Sequence, residues 1–335
     1  MDLYVLRLLG LMCAVGLSGC GLVIDAVQLA EALSRNELQT ICTRGQVRVG
    51  MSVEPFRPFV FPAIYTDEGV RITGLDVALV REIAAALTKR CAEGDSITPK
   101  IELVRFRDLF VELQEGKIDF FISAKTMNVI SPLESGLAYS IPYYYGGGVI
   151  GIAKEPIASR IRDTLRGKKA SQDIEAFKSA LELVSVGVQS TRSPHRYVEA
   201  NLANVRLILC DSLPAAFESQ DPAIDVILGK RPILEQMIRW GRKDWQPLTD
   251  DEGTPWLLTS ENYGIVLAED AYALRWLIND LLFRMEQDGR LARLRSRWLE
   301  ETYAYPRRAA VEGLPFDANK MPQHYDQGGC NTAAR

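Results

Sequence analysis

Between Gln46 and Ser123 the apolar pattern changes period several times, and this alternation limits the fold more than any other feature of the chain. Gln46-Val47-Arg48-Val49-Gly50 has a period of two and reads as a short strand with a glycine exit. After the proline- and phenylalanine-rich loop from Pro55 to Pro62, Gly74-Leu75-Asp76 opens a helix with Asp76 placed to cap it. Its apolar stripe is Leu79, Val80, Ile83, Ala84 and Leu87. A strand from Ile101 to Val104 follows. Next comes a helix begun near Asp108 that turns Phe110 and Leu113 inward and stops at Gly116, and then a strand from Ile118 to Ser123. Strands and helices in strict alternation give a parallel sheet covered by helices on both faces.

The same order restarts further on. Val149 to Ala153, Val184 to Val188, Val205 to Leu209, Asp225 to Leu228 and Tyr263 to Leu267 read as strands, and Ser193-Pro194 begins a helix with proline in its first turn. A long helix from about Ala271 to Gln287 turns Leu274, Leu277, Ile278, Leu281 and Met285 inward, and a last one carries Leu291, Leu294 and Trp298. With 335 residues, 47% of them apolar, the chain can bury two such α/β lobes. Residues 302–335 show neither period and read as a C-terminal tail that Cys330 can staple.

The N-terminus reads as a targeting segment. Arg7 precedes the apolar run Leu8 to Leu17, which is too short to span a bilayer as a helix, and Leu17-Ser18-Gly19-Cys20 follows. The run resembles a bacterial lipoprotein signal, which implies a signal peptide over 1–19 and a diacylated Cys20 at the mature N-terminus. An ordinary cleaved secretory signal, with Cys20 incidental, is the alternative. Residues 20–44 would then be the lipidated N-terminus and a helical spacer, anchored to a membrane by two acyl chains. Of six cysteines, Cys13 leaves with the signal and Cys20 carries lipid, so Cys42, Cys91, Cys210 and Cys330 remain in an oxidising compartment. Cys42 precedes the first strand and Cys91 ends the helix after it, positions that lie near one edge of an α/β layer. Cys42–Cys91 is therefore the expected bridge, which leaves Cys210–Cys330.

Composition excludes several functions. A net charge of −4 with signs mixed along the chain offers no field for nucleic acid. The histidines are His195 and His324 alone, with no Cys-x-x-Cys, His-Glu-x-x-His or Gly-x-Ser-x-Gly pattern, so neither a metal site, a cofactor nor a catalytic residue is expected. Gly146-Gly147-Gly148-Val149-Ile150-Gly151 fits the dinucleotide fingerprint in spelling only. It enters a strand, whereas the fingerprint leaves a strand and opens a helix, so it is expected to be an inter-lobe hinge.

The order of segments resembles the family 3 bacterial extracellular solute-binding proteins, the polar amino-acid binders of ABC importers. The likeness is carried by Gly74-Leu75-Asp76-Val77, Glu115-Gly116-Lys117-Ile118-Asp119, Ala138 to Tyr143, Gly187 to Thr191, Asp225 to Leu228, Tyr263 to Ala268 and Met285 to Trp298. It implies a type II periplasmic-binding-protein-like fold whose chain crosses twice between lobes: 45–147 plus 264–301 in lobe 1, 148–263 in lobe 2. It also implies a monomeric, extracytoplasmic receptor that hands a small polar ligand to an ABC transporter permease. A sensor or scaffold for a membrane partner, or a dehydratase-like enzyme on the same fold, is the alternative.

Site residues follow from the same resemblance. Ser123, Ala124 and Thr126, with Lys125 beside them, match strand-end positions that contact ligand, and Ser190, Thr191 and Arg192 match a loop at a helix N-terminus that favours an anion. Phe56 and Phe59 match a loop whose aromatics flank the ligand, with core packing the alternative for Phe59. Lys230 and Arg231 follow a strand's C-terminal end, the edge at which open α/β sheets bind ligands. The family's arginine for an α-carboxylate falls here on Ser131 or Leu133, and its acidic acceptor for an α-ammonium falls on Lys230. Lys230, Arg231 and Arg192 are expected to converge on a small anion without a carboxylate among them. For the anchor, Cys20→Ser should move the protein from membranes to the soluble fraction, and an intact mass showing an unmodified mature chain beginning elsewhere would refute lipidation.

Overall fold

The computed structural model describes residues 37–333 apart from 53–56, 67–68, 92–95, 107, 128–134, 221–222, 302–311, 318 and 320–327. The segment expected to be a signal peptide, Cys20, Phe56, Ser131 and Leu133 lie outside the described residues.

The chain opens with α1 (Glu37–Arg44), β1 (Gln46–Ser52), β2 (Phe61–Thr66), β3 (Gly69–Thr73), α2 (Leu75–Arg90), β4 (Thr98–Val104), α3 (Asp108–Gln114), β5 (Phe120–Thr126), β6 (Leu137–Tyr139) and β7 (Tyr144–Gly147). It continues with β8 (Val149–Lys154), α4 (Ile157–Thr164), α5 (Ile174–Leu181), β9 (Ser185–Gln189), α6 (Ser193–Asn201), β10 (Arg206–Cys210), α7 (Leu213–Glu218), β11 (Val226–Lys230), α8 (Arg231–Trp240) and β12 (Trp245–Pro247). Last come β13 (Glu261–Ala268), α9 (Tyr272–Gln287), α10 (Arg290–Arg295) with a wider helical turn over Ser296–Glu300, β14 (Leu314–Pro315) and β15 (Cys330–Thr332).

Two six-stranded sheets and a small three-stranded one, β14-β3-β2, result, and the central strands of the two larger sheets follow one plan. The first runs β4-β1-β5-β13-β6, with β7 also on β13, and the second runs β12-β8-β11-β9-β10-β15. In each, three parallel strands (β4, β1, β5 and β10, β9, β11) meet one antiparallel strand that belongs to an inter-lobe passage, β13 or β8. An aspartate one residue ahead of each central strand sets the register. Asp119 accepts the Arg48 amide at 2.7 Å and ion-pairs with the Arg44 and Arg48 side chains, while its own amide donates to the Arg48 carbonyl. Asp225 repeats this on Ser185, accepting its amide and hydroxyl at 2.9 Å each. The Gly116-Lys117-Ile118-Asp119 segment is thus a strand clamp.

The expected helical stripe is buried throughout: Leu79, Val80, Ile83, Ala84 and Leu87 all pack inward. Gly74 has φ 128°, and a Cβ there would meet the Phe59 carbonyl at 2.2 Å. Asp76 does not cap this helix. The carbonyls of Pro58 and Phe59 accept the amides of Leu75 and Asp76, which frees the Asp76 side chain to point under the sheet. In α9 Leu282 is buried where Leu281 was expected, and Leu281 packs only partly. A helix of 3.6 residues per turn buries an arc wide enough that a residue on its margin can change places with its neighbour.

Two passages join the lobes. The first runs through Gly148 (φ 156°), where a Cβ would strike the Thr259 carbonyl, and it enters strand β8 instead of opening a helix. The second follows Thr259, but β13 already begins at Glu261, so Glu261 to Tyr263, expected in lobe 2, pair within the first sheet. The tail also departs from expectation: β14 extends the β2–β3 hairpin and β15 adds an edge to β10. Cys42 is bonded to Cys91, and Cys210 to Cys330, with Cα atoms 5.5 and 4.1 Å apart.

Removing the Cys42–Cys91 link, which closes a separation of 49 residues, should cost about 4 kcal/mol in the chain-entropy model. Non-reducing peptide mapping should recover both linked pairs, and Cys42→Ser/Cys91→Ser should lower the unfolding midpoint; free or differently paired thiols would contradict the assignment.

Candidate functional site

Parallel strands present their C-terminal ends at the switch between connections, where loops diverge and leave a crevice. Here the ends of β5 and β11 face each other across such a crevice, with the β9–α6 loop closing one side. Two residues mark it as a strained place. Among the described residues, Ala124 (φ 45°) and Thr191 (φ 64°) are the non-glycine positions in the left-handed region, and they sit at the end of β5 and in that loop. Such backbone persists only where its surroundings hold it, and it concentrates at functional sites.

The cleft wall from the first lobe is Phe106, Ser123, Lys125 and Thr126; from the second it is Thr191, Arg192, Ser193, Arg196 and Lys230. The Arg192 guanidinium lies over the Phe106 ring at 3.8 Å, a cation–π contact between the lobes. The Lys125 ammonium donates to its neighbour's carbonyl, Thr126 O, at 2.9 Å and lies 5.4 Å from the Tyr139 ring. The Thr191 amide donates to His195 Nδ1 at 3.1 Å, and His195 Nε2 is 3.3 Å from the Glu199 carboxylate. His195 therefore braces the loop.

Sequence-predicted residues separate into two groups. Ser123, Lys125, Thr126, Thr191, Arg192 and Lys230 come together on the cleft, with Ala124 behind them through its carbonyl. Ser190 instead donates its amide to the Cys210 carbonyl, and Phe59 is fully buried against Tyr144 and Tyr263. Arg231 does not converge with Lys230 and Arg192: its side chain turns along α8 to Glu235 at 2.8 Å. Nor is the site free of carboxylates. The Lys230 ammonium donates to Ala124 O at 2.5 Å and to Thr126 Oγ1 at 3.0 Å, and lies 3.8 Å from the buried carboxylate of Glu261. Burial pulls the Lys230 pKa down to about 8, with Arg192 and Lys125 pushing the same way and Glu261 opposing.

Glu261, Asp76, Phe106 and Arg196 were not anticipated. A period-two count back from buried Tyr263 reaches Glu261 on the same face of β13, a signal the sequence does carry. Asp76 sits wholly buried beneath Ala124, accepting the Ala124 amide at 3.3 Å and bonded to the Tyr143 hydroxyl. Burial pushes its pKa up from 3.8 to about 7 against those two hydrogen bonds and the charge of Lys230.

A two-lobed α/β fold with a polar crevice between facing strand ends defines the class of hinged solute-binding proteins. Residues 47–301 match the family described as bacterial extracellular solute-binding proteins, family 3, and the chain belongs to that family. Solved structures share the fold. A mutant of ArgBP from T. maritima is 24% identical with a TM-score of 0.59, over 79% of this chain and 99% of that one. An amino acid ABC transporter substrate-binding protein from Streptococcus pneumoniae bound to L-arginine is 17% identical with a TM-score of 0.60, over 80% and 99%. AncCDT-1, described as an ancestral amino acid-binding protein and a precursor of cyclohexadienyl dehydratase, is 21% identical with a TM-score of 0.58, over 79% and 100%. No curated protein sequence matches the chain.

The folded value of Asp76 lies above its unfolded value. Its contribution to stability is therefore complete below the unfolded value near 4 and is lost as pH rises through about 7. Asp76→Asn should not suffer this loss. The gap between variant and wild type in unfolding free energy should grow by a few kcal/mol from pH 4 to pH 8, and parallel denaturation curves at both pH values would contradict the assignment.

Proposed function

We propose that the protein is the extracytoplasmic receptor of an ABC importer, held to a membrane through lipidated Cys20, and that it captures a small organic anion such as a carboxylate and delivers it to the permease without chemical change. The observation that carries the ligand class is the charge of the cleft wall. Among the described residues that line it, the ionisable side chains are Lys125, Arg192, Arg196 and Lys230, all basic. The nearby carboxylate, Glu261, lies behind Lys230 and Thr126 and is engaged by both. Arg192 and Arg196 flank the first turn of α6, whose dipole also favours negative charge. Ser123 and Thr191 add hydroxyls that can complete a carboxylate's hydrogen bonds. Binding without catalysis accords with the role His195 plays, bonded to the backbone of its own loop and turned to Glu199.

The test is a thermal-shift screen of small mono- and dicarboxylates against neutral solutes and zwitterionic amino acids. Carboxylates should raise the midpoint, and Arg192→Ala should weaken the best of them roughly tenfold to a hundredfold, the effect of losing one charge-assisted hydrogen bond. Strong stabilisation by a standard amino acid that Arg192→Ala leaves unchanged would overturn the ligand class.

A further inference from the structure

Lys230 lies at the end of β11 in the second lobe, yet the acceptors of its ammonium belong to the first. They are the Ala124 carbonyl at 2.5 Å, the Thr126 hydroxyl at 3.0 Å and the Glu261 carboxylate at 3.8 Å, with the Tyr263 ring centroid 4.3 Å away. A carbonyl, a hydroxyl, a carboxylate and an aromatic face around one point make a full recognition set for an alkylammonium.

The set is held by bonds that do not involve Lys230. Thr126 donates to Glu261 at 2.7 Å, and the other Glu261 oxygen accepts from Thr259 at 3.2 Å. Thr259 Oγ1 in turn accepts the Val149 amide at 3.0 Å, at the first inter-lobe passage. Ala124 is kept in its left-handed conformation with its amide directed at Asp76 and Tyr143. The acceptors are thus organised by the first lobe and the hinge, and the lysine is the part that crosses.

We propose that the first lobe carries an ammonium-binding subsite and that Lys230 occupies it as a tethered stand-in for a ligand's ammonium. The solute, on the solute-binding reading above, therefore bears no ammonium at that position, and the lobes are drawn together before any solute arrives. An incidental surface ion pair would be exposed and replaceable; this one is buried, with both side chains at 10% exposure or less.

Lys230→Ala removes the propylammonium portion of the side chain and leaves the acceptors in place, whereas Lys230→Met fills the stem and removes the charge. Small-angle scattering of the full chain, dialysed free of solute, should show a larger radius of gyration for both variants than for wild type. Thermal-shift titration with n-propylammonium chloride should stabilise Lys230→Ala saturably, at a concentration at least tenfold below any effect on wild type or Lys230→Met. 1-Propanol and sodium chloride should not substitute. If Lys230→Ala folds only with propylammonium present, the subsite is equally supported. Should Lys230→Met scatter like wild type, or folded Lys230→Ala ignore propylammonium, the stand-in role is wrong. Neither arm uses an anionic solute, so a failed carboxylate screen beside a successful rescue would overturn the ligand class and leave the subsite standing.

Discussion

Everything at the cleft depends on where the central strands stop, and a carboxylate hydrogen-bonded to a neighbouring strand decides that in each lobe. Asp119 fastens the start of β5 to β1, and Asp225 fastens the start of β11 to β9, each through paired amide and carbonyl contacts with a single residue. A one-residue slip would turn every side chain on β5 or β11 to the opposite face. With both strands pinned at their N-terminal ends, Ala124 and Lys230 occupy corresponding places at the far ends, and it is these two that touch across the crevice. The contact between the lobes is therefore a product of two local clamps acting at the opposite edge of each sheet.

Burying a lysine where lobes meet has an electrostatic cost that its surroundings must offset. Removing an ammonium from water is unfavourable by several kcal/mol unless acceptors replace the water. Lys230 finds three, one of them a carboxylate, but Arg192 and Lys125 stand near enough to depress its pKa. The same crowding of positive charge is the physical basis of the proposed preference for an anion, which on entering would relieve repulsion among these groups. Asp76 lies one layer deeper, beneath Ala124, so its protonation state contributes to the same field from below.

Much of this architecture is legible in the sequence because strand and helix periods are long-range regularities that many residues report together. The α2 stripe, both halves of the βα alternation and the two cysteine pairs belong to that class. Single side-chain directions are another matter. Asp76 has the right type and place for a cap, but carbonyls from the Pro58–Phe59 turn reach the helix first, and no local pattern encodes a loop approaching from outside. Arg231 and Lys230 are neighbours with equal charge; one finds Glu235 a helical turn away while the other finds partners 104 to 106 residues distant in the chain. The edge strands β14 and β15, two and three residues long, are shorter than any window in which a period can be detected.

Those two short strands have a mechanical meaning. β14 is fixed to the first lobe's hairpin, and β15 is fixed to the second lobe by three backbone pairings and a covalent sulfur link. The stretch between them, residues 316–329, is thus a third physical connection between bodies that otherwise share two hinge strands, placed after the family-matching region ends at 301. Drawn straight it would reach roughly 50 Å, which sets the upper limit on how far its two anchor points can part. Cutting both hinge strands would still leave the lobes joined through the tail, and gross separation would require breaking the 210–330 bond as well.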